Sequence, residues 1–394
     1  MRFVFLTLGY HPDKPGGAYR YVAEVAERLA QSGAEVYAIY PGESRRCEDE
    51  ERVGVNLRRF PDAHGFFAAN WFAENRLAGK RVREITNRPQ KTLFVVCHAF
   101  FGRSAASLGS RYASLFTGPW GQEFLFSRGG GTDRTFKRAL EKLIAHRMAF
   151  VERRTLQQSA IILTISNYYV HELPRWHAPI VPPVRMISGG VNLQRFCPPS
   201  NRQAVRAKWG LSPRDFLLLS VRRLDPRMGL AMLVRAFRQV PDKTGAQLWI
   251  AGTGSQHDAL VRLIHETQQQ ERIRLLGFVP ENQLTELYGV ADCTIAPSLA
   301  LEGFGLVLVE SLACGTPALG ADSGAISEVL KPLDPALLFL SNSEAELASV
   351  LIDRLSNRLK LPSRESCRRY SELHFSWDRP VRGFQTAFEE VATG

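Results

Sequence analysis

Short runs of consecutive apolar residues alternate along this chain with longer segments whose apolar positions recur every three or four residues. That alternation predicts parallel strands, buried on both faces, connected by amphipathic helices. Phe3 to Leu8 predicts a first buried strand, followed by a Gly/Pro loop. Tyr21, Val22, Val25, Ala26 and Leu29 then share one face of a helix that Gly33 closes, and Glu35 to Tyr40 predicts the next strand. Thr92 to Cys97, Tyr112 to Phe116 and Ile161 to Ile165 follow as strands, with Thr135 to Gln157 long enough for a helix of several turns. A second series begins after Pro198 and Pro199. Phe216 to Val221, Gln247 to Ala251, Ile273 to Leu276, Cys293 to Ala296 and Pro317 to Leu319 are its strands, and helices start near Met228, Ser255, Glu281 and Gly305. The pattern predicts two doubly wound α/β halves joined near residues 190 to 200, with the ligand in a cleft between them, outside the carboxyl ends of the strands.

The length of 394 residues fits two domains at roughly 100 to 200 residues each. Lys plus Arg number 50 against 39 Asp plus Glu, so the formal charge of +11 asks for an anionic partner: nucleic acid, a membrane surface or a phosphorylated substrate. The six cysteines lie far apart, mostly in apolar runs and without zinc-finger spacing, which favours a reducing, cytoplasmic setting. The opening apolar run is too short for a signal-peptide core. No apolar stretch approaches the roughly 18 residues of a membrane helix, so membrane contact is expected to be peripheral.

The most informative segment runs from Ala296 to Pro317. A strand ends, a turn flanked by Gly303 and Gly305 brings the backbone close to whatever lies above it, and a helix begins with free N–H groups that suit an anion. Glu310 falls within the first two turns of that helix, in an apolar run where a lone carboxylate is costly unless paired or facing a ligand. A carboxylate suits vicinal hydroxyls such as a ribose diol. The plainer alternative is a turn shaped by two glycines and a surface glutamate.

This segment resembles the nucleotide-sugar site of retaining glycosyltransferases of the family 4 type, which have the GT-B fold. Glu302 and Glu310 match the family's pair of glutamates with seven residues between them, Gly303-Phe304-Gly305 among these. Ser188-Gly189-Gly190-Val191-Asn192 with Arg195-Phe196 looks like the junction into the second domain. Ser220 to Leu224, Ile250 to Gly254 and Leu276 to Val279 also fall in family order, Gly16-Gly17 matches the loop after the first strand, and Phe116 to Trp120 resembles the family's His-Gly-Pro-Trp stretch. The resemblance implies two Rossmann-like domains facing each other across a cleft: residues 1–192 on the acceptor side, residues 193–375 for the nucleotide sugar, and a C-terminal helix, 376–394, packing back on the first.

Carried over by position, Glu310 would hold the donor ribose and Glu302 would lie against the transferred sugar. Phe304, Gly305 and Leu306 would support sugar and diphosphate through their backbone, and Arg223 would neutralise the departing diphosphate. Gly16 and Gly17 would approach the donor phosphate, while Gly252 and Val279 would line the nucleotide. The implied activity is metal-independent, cofactor-free transfer of a hexose from a nucleoside diphosphate sugar to a glycan, lipid-linked or small-molecule hydroxyl, as in polysaccharide biosynthesis. The alternatives are a non-catalytic or weakly active nucleotide-binding partner subunit, and a GT-B epimerase or phosphorylase. For Arg223 the plain reading is a surface arginine of the kind its neighbour Arg222 exemplifies.

Two positions depart from the family. Met228 stands where a lysine supplies a second cation to the diphosphate, and Thr117 stands where a histidine lies near the reacting carbon. His98 ends a predicted strand on the cleft side and offers a replacement imidazole or a structural one; His11 has the same ambiguity. Gly252-Thr253-Gly254 begins a dinucleotide fingerprint, but His257 takes the place of its third glycine. There is no Walker loop, His-Glu-x-x-His, Gly-x-Ser-x-Gly elbow or Asp-x-Asp dyad.

The positive charge is uneven. Arg76, Lys80, Arg81, Arg83, Arg88 and Lys91 form one cluster, and Arg134, Lys137, Arg138, Lys142, Arg147, Arg153 and Arg154 another. Phe66, Phe67, Trp71 and Phe72 precede the first. Such a surface suits an anionic bilayer and a lipid-linked acceptor, the alternative being a solvated helix face. No nucleic-acid recognition motif accompanies the charge.

Overall fold

The structure is a computed structural model that describes residues 1–62, 67–85, 92–108, 111–127, 135–356 and 360–393. The chain divides into two compact units, one holding most of residues 1–189 with 377–394, the other holding 190–376. Residues 190–192, which the junction motif places in the first half, belong with the second, where Val191 N donates to Phe375 O at 2.9 Å.

The first unit is built on strands β1 (Arg2–Leu6), β2 (Glu35–Gly42), β3 (Glu48–Arg52), β4 (Val55–Pro61), β5 (Thr92–Val96), β6 (Tyr112–Phe116), β7 (Ile161–Thr164) and β8 (Val184–Met186), in the order β3-β4-β2-β1-β5-β6-β7-β8. All pairings are parallel except β3 with β4. The central strands β5, β6 and β7 are buried along their whole length, which is why they read as continuous apolar runs. The hairpin β3–β4 escapes the hydrophobic pattern. Its edge strand is Glu-Asp-Glu-Glu-Arg, held to β4 by Arg58–Asp49 and Arg59–Glu50 ion pairs at 2.6 and 2.5 Å rather than by apolar burial. The turn between them, Val53-Gly54, carries left-handed φ values of 50° and 76°, as a two-residue hairpin turn requires. The C-terminal helix Asp378–Thr393 packs on this unit, with Phe388 and Phe384 against Phe3 and Phe5 of β1 at 5.3 and 5.9 Å between ring centroids.

The second unit carries β9 (Phe216–Val221), β10 (Ala246–Ala251), β11 (Ile273–Gly277), β12 (Cys293–Ala296), β13 (Ala318–Asp322) and β14 (Leu338–Leu340), all parallel, in the order β11-β10-β9-β12-β13-β14. From β9 the chain winds outward through β10 and β11, then returns across β9 to lay down β12, β13 and β14 on the other side. The order reverses between β9 and β12. In open α/β sheets such a reversal is the point outside the carboxyl ends of the strands where ligands bind. Ser220 Oγ donates to Ile295 O at 3.0 Å across that boundary, tying together the two strands on either side of the reversal.

Candidate functional site

The loops after β9 and β12, residues 222–229 and 297–305, are held together by backbone and side chain. Leu299 N donates to Arg227 O at 2.8 Å, and Arg227 Nη1 donates to Leu301 O at 3.1 Å. Leu301 has φ 56°, a left-handed conformation that a leucine adopts only when its surroundings impose it. The Arg227 bond to its carbonyl is one such constraint. Gly229, at φ 71°, lies so close to the second loop that a Cβ there would meet Pro297 O at 1.9 Å. Gly252, after β10, has φ 143° and no more room, a Cβ meeting Arg222 O at 1.8 Å.

The second loop leads into the helix Leu306–Ala313, whose N-cap Gly305 has φ 84°. Glu310 projects from this helix and is buried, and Tyr288, on the helix Glu281–Val290, donates its hydroxyl to Glu310 Oε2 at 3.0 Å. The helix is fastened to β12 by Ser311, whose Oγ donates to Thr294 Oγ1 at 2.7 Å. Glu302 sits in the loop with its side chain 12% exposed. Its Oε2 accepts from Arg222 Nη1 at 2.9 Å and from Ser298 Oγ at 3.1 Å. Phe304 is buried edge-on against Phe375 at 6.0 Å, while Gly305 and Leu306 open the helix beside it.

The two arginines that close β9 exchange their expected characters. Arg222, read from sequence as an ordinary surface residue, is buried on Glu302. Arg223 is the exposed one, its side chain 59% accessible and 3.0 Å from Asp225. The reason is the partner that Arg222 finds on the second loop, Glu302, eighty positions away, which the sequence pattern does not record. Met228 is buried in a short 3-10 turn, Pro226–Met228, and brings no charge. Gly252 and Val279 follow β10 and β11 on the same carboxyl edge.

In the first unit, Gly16 is the N-cap of the helix Gly17–Gln31, with φ 147° and no acidic residue in the first turn. The helix start thus presents unneutralised amides. Thr117, just past β6, lines a small pocket with His98, Ser114 and Glu152. Trp120 N donates to the Glu152 carboxylate at 3.1 Å, and His177 Nε2 lies 2.9 Å from it. Burial pushes the Glu152 carboxyl up, against the pull of His177 and the Trp120 N–H. His98 Nδ1 accepts from Phe100 N at 3.3 Å, which leaves the proton of the neutral ring on Nε2. Desolvation, reinforced by Lys14, pulls His98 down to about 4. The folded protein therefore binds this proton less readily than the unfolded chain, and the stability contributed by the neutral ring is lost as pH falls from about 6.5 towards 4. The variant His98→Gln is expected to flatten this part of the stability-versus-pH curve by on the order of 2 kcal/mol, measured by urea unfolding at pH 7 and pH 4.5. An unchanged slope would contradict the assignment.

Much of the basic charge is spent inside the first unit. Arg81 is buried and paired with Asp49 and Glu84, which removes it from the first cluster. Trp71 is anchored through its Nε1 to Phe100 O at 2.9 Å, whereas Phe72 is exposed beneath Arg103. Phe66, Arg88, Lys91 and Arg134 lie outside the described residues, as do the side chains of Phe67 and Lys137. The second cluster is different. On the helix Thr135–Gln158, Leu140, Leu143 and Phe150 are exposed, interleaved with exposed Arg138, Lys142, Arg147, Arg153 and Arg154. No helix among the described residues is long and apolar enough to cross a membrane, and no three or more His, Cys, Asp or Glu side chains there come together as metal ligands would.

The sequence pattern of the family described as Glycosyltransferase Family 4 matches residues 15–195, and that described as Glycosyl transferases group 1 matches residues 201–374. An uncharacterized glycosyltransferase of Methanocaldococcus jannaschii is 26% identical over 84% of this chain and 83% of its own. A D-inositol 3-phosphate glycosyltransferase of Jonesia denitrificans is 30% identical over 61% of this chain, which spans 59% of that protein's length. Among solved structures, sucrose-phosphate synthase from Thermosynechococcus elongatus superposes with a TM-score of 0.84 at 19% identity, covering 100% of this chain and 99% of its own. HepE of Anabaena in complex with UDP-glucose gives 0.75 at 16% identity and 99% coverage of both. These two likenesses establish the fold.

Proposed function

Because the chain belongs to the GT-B glycosyltransferases of the group 1 and family 4 type, we propose that it transfers a hexose from a nucleoside diphosphate sugar to a hydroxyl of a glycan, lipid-linked or small-molecule acceptor, with retention at the anomeric carbon and without a metal ion. The observation that carries this reading is the placement of Glu302 and Glu310 on one loop and helix beside the reversal of strand order, with the exposed guanidinium of Arg223 on the loop after the neighbouring strand β9.

In this reading the Glu310 carboxylate accepts the ribose hydroxyls and Glu302 accepts hydroxyls of the sugar. Arg223 is free enough of structural duty to follow the diphosphate as its charge grows, and the amides at Gly305 and Leu306 lie at a helix start that favours the same charge. Gly252 and Val279 border the nucleotide through their backbone, and Gly16 and Gly17 offer helix-start amides to phosphate. Thr117 takes no proton in this scheme. Met228 leaves the site one cation short, which lowers the expected rate but not the expected chemistry. The apolar and basic face of the helix Thr135–Gln158 supports an acceptor at an anionic lipid surface on the cytoplasmic side.

One assay tests the reading. The full chain is incubated with UDP-, GDP- and ADP-sugars in EDTA, with and without anionic phospholipid vesicles carrying a lipid-linked acceptor, and the product's anomeric configuration is read by NMR. Transfer with the donor's configuration retained, undiminished by EDTA and raised by anionic vesicles, is the expected result. Inversion, or dependence on added metal, would overturn those parts. Binding of nucleotide without transfer would favour a partner subunit, to which the uncharged Met228 position points.

A further inference from the structure

A buried arginine ordinarily spends its N–H groups on carbonyl and carboxylate oxygens, since each donor left unpaired away from water is costly. The second unit follows this rule repeatedly. Arg206 bonds Val290 O, Ser212 O, Asp215 O and the Asp292 carboxylate; Arg364 bonds Ala291 O, Gly289 O and Cys314 O; Arg368 bonds Phe196 O, Ala313 O and Leu193 O. Arg222 does not. Its side chain is only 6% exposed, yet its one bond to the described residues is from Nη1 to Glu302 Oε2. Its Nε and Nη2 are shut away from water with no acceptor. A residue serving only to fill this space would be better apolar.

What Arg222 does achieve is the fixing of one carboxylate oxygen. With Ser298, itself fully buried, it holds Glu302 Oε2 from two sides, while Oε1 receives no hydrogen bond from the described residues. The backbone beneath is braced in the same sense by the Arg227 bond to Leu301 O. The ion pair also offsets the Glu302 charge, so an anionic diphosphate can approach a carboxylate that would otherwise repel it.

Resting on the donor-site reading above, we propose that Arg222 is a positioning residue for sugar transfer: together with Ser298 it clamps Glu302 Oε2, leaving Oε1 fixed for hydroxyls of the transferred sugar. It acts through Glu302.

The test compares Arg222→Gln, Arg222→Lys, Ser298→Ala, Glu302→Gln and the Arg222→Gln/Glu302→Gln double variant in the full chain. Arg222→Gln is expected to lower kcat by ten- to a hundredfold while moving the donor KM less than threefold. Its affinity for the nucleoside diphosphate without sugar should stay at the parent's value. Arg222→Lys should recover most of the loss, and the double variant should be no slower than Glu302→Gln alone. Should Arg222→Gln fail to fold, Ser298→Ala carries the test through a two- to tenfold fall in kcat. Parent-like turnover by Arg222→Gln, loss of diphosphate affinity in step with kcat, or multiplied losses in the double variant would overturn the proposal and leave the donor site standing. A parent protein that binds no nucleotide sugar would overturn both.

Discussion

Glu310→Ala is expected to weaken nucleotide-sugar binding at least a hundredfold in a protein that still folds. The carboxylate is buried in a helix whose surroundings are apolar, and Tyr288 supplies a hydrogen bond at 3.0 Å. Hydrogen bonds to a charged group contribute about 1.5–3 kcal/mol each. Two such bonds to a ribose diol amount to about 3 kcal/mol or more, which is the hundredfold expected. Removing the carboxylate also takes away the acceptor of the 3.0 Å bond from the Tyr288 hydroxyl, at a further cost to stability of about 1–3 kcal/mol. Tyr288→Phe separates the two effects, because it removes the structural bond and keeps the carboxylate. It should lower the melting temperature and retain most of the affinity. Equal losses of affinity in the two variants would mean that Glu310 serves the fold and not the ligand.

Gly229→Ala should be more damaging still, because it strikes the contact on which both candidate loops depend. A Cβ at this position meets Pro297 O at 1.9 Å, a backbone atom that cannot rotate away, in a residue already at φ 71°. The loop 297–305 must then retreat, breaking the Leu299 N–Arg227 O and Arg227–Leu301 O bonds and displacing Glu302. Strain of this kind costs about 4 kcal/mol or more, and at roughly 2–4 °C per kcal/mol for a unit of this size the melting temperature should fall by about 10 °C. Transfer should become undetectable. Gly210→Ala is the control: Gly210 has the same φ of 71° with nothing within 4 Å of an added Cβ, so it isolates the dihedral cost of about 1 kcal/mol. Equal losses at the two positions would contradict the close approach.

The sequence makes visible what repeats and what is buried on both sides. Strands β5, β6, β9 and β12 are legible because parallel strands between helices must be apolar throughout, and the Glu302–Glu310 spacing is legible because a turn and a helix start fix it locally. The hairpin β3–β4 is not legible, because its edge strand is held by ion pairs and carries no apolar period. Nor does the sequence reveal that Arg222 and not Arg223 turns inward. That choice is made by a residue eighty positions away, and no local pattern records it. Tyr288 is hidden for the same reason, its partner lying on another element, while Ser298 meets Glu302 only because their shared loop folds back on itself. A carboxylate that recurs in a motif does raise the question of what neutralises it, and an arginine pair at the end of a neighbouring strand was the available signal.

Isothermal titration calorimetry of the full chain with UDP-, GDP- and ADP-sugars, run beside Glu310→Ala, decides whether the second unit holds a nucleotide-sugar site. At least one nucleotide sugar should bind the parent protein with a Kd at or below about 100 μM, and the variant should bind it at least a hundredfold more weakly. Absence of binding across the panel, or equal binding by the parent and Glu310→Ala, would contradict it.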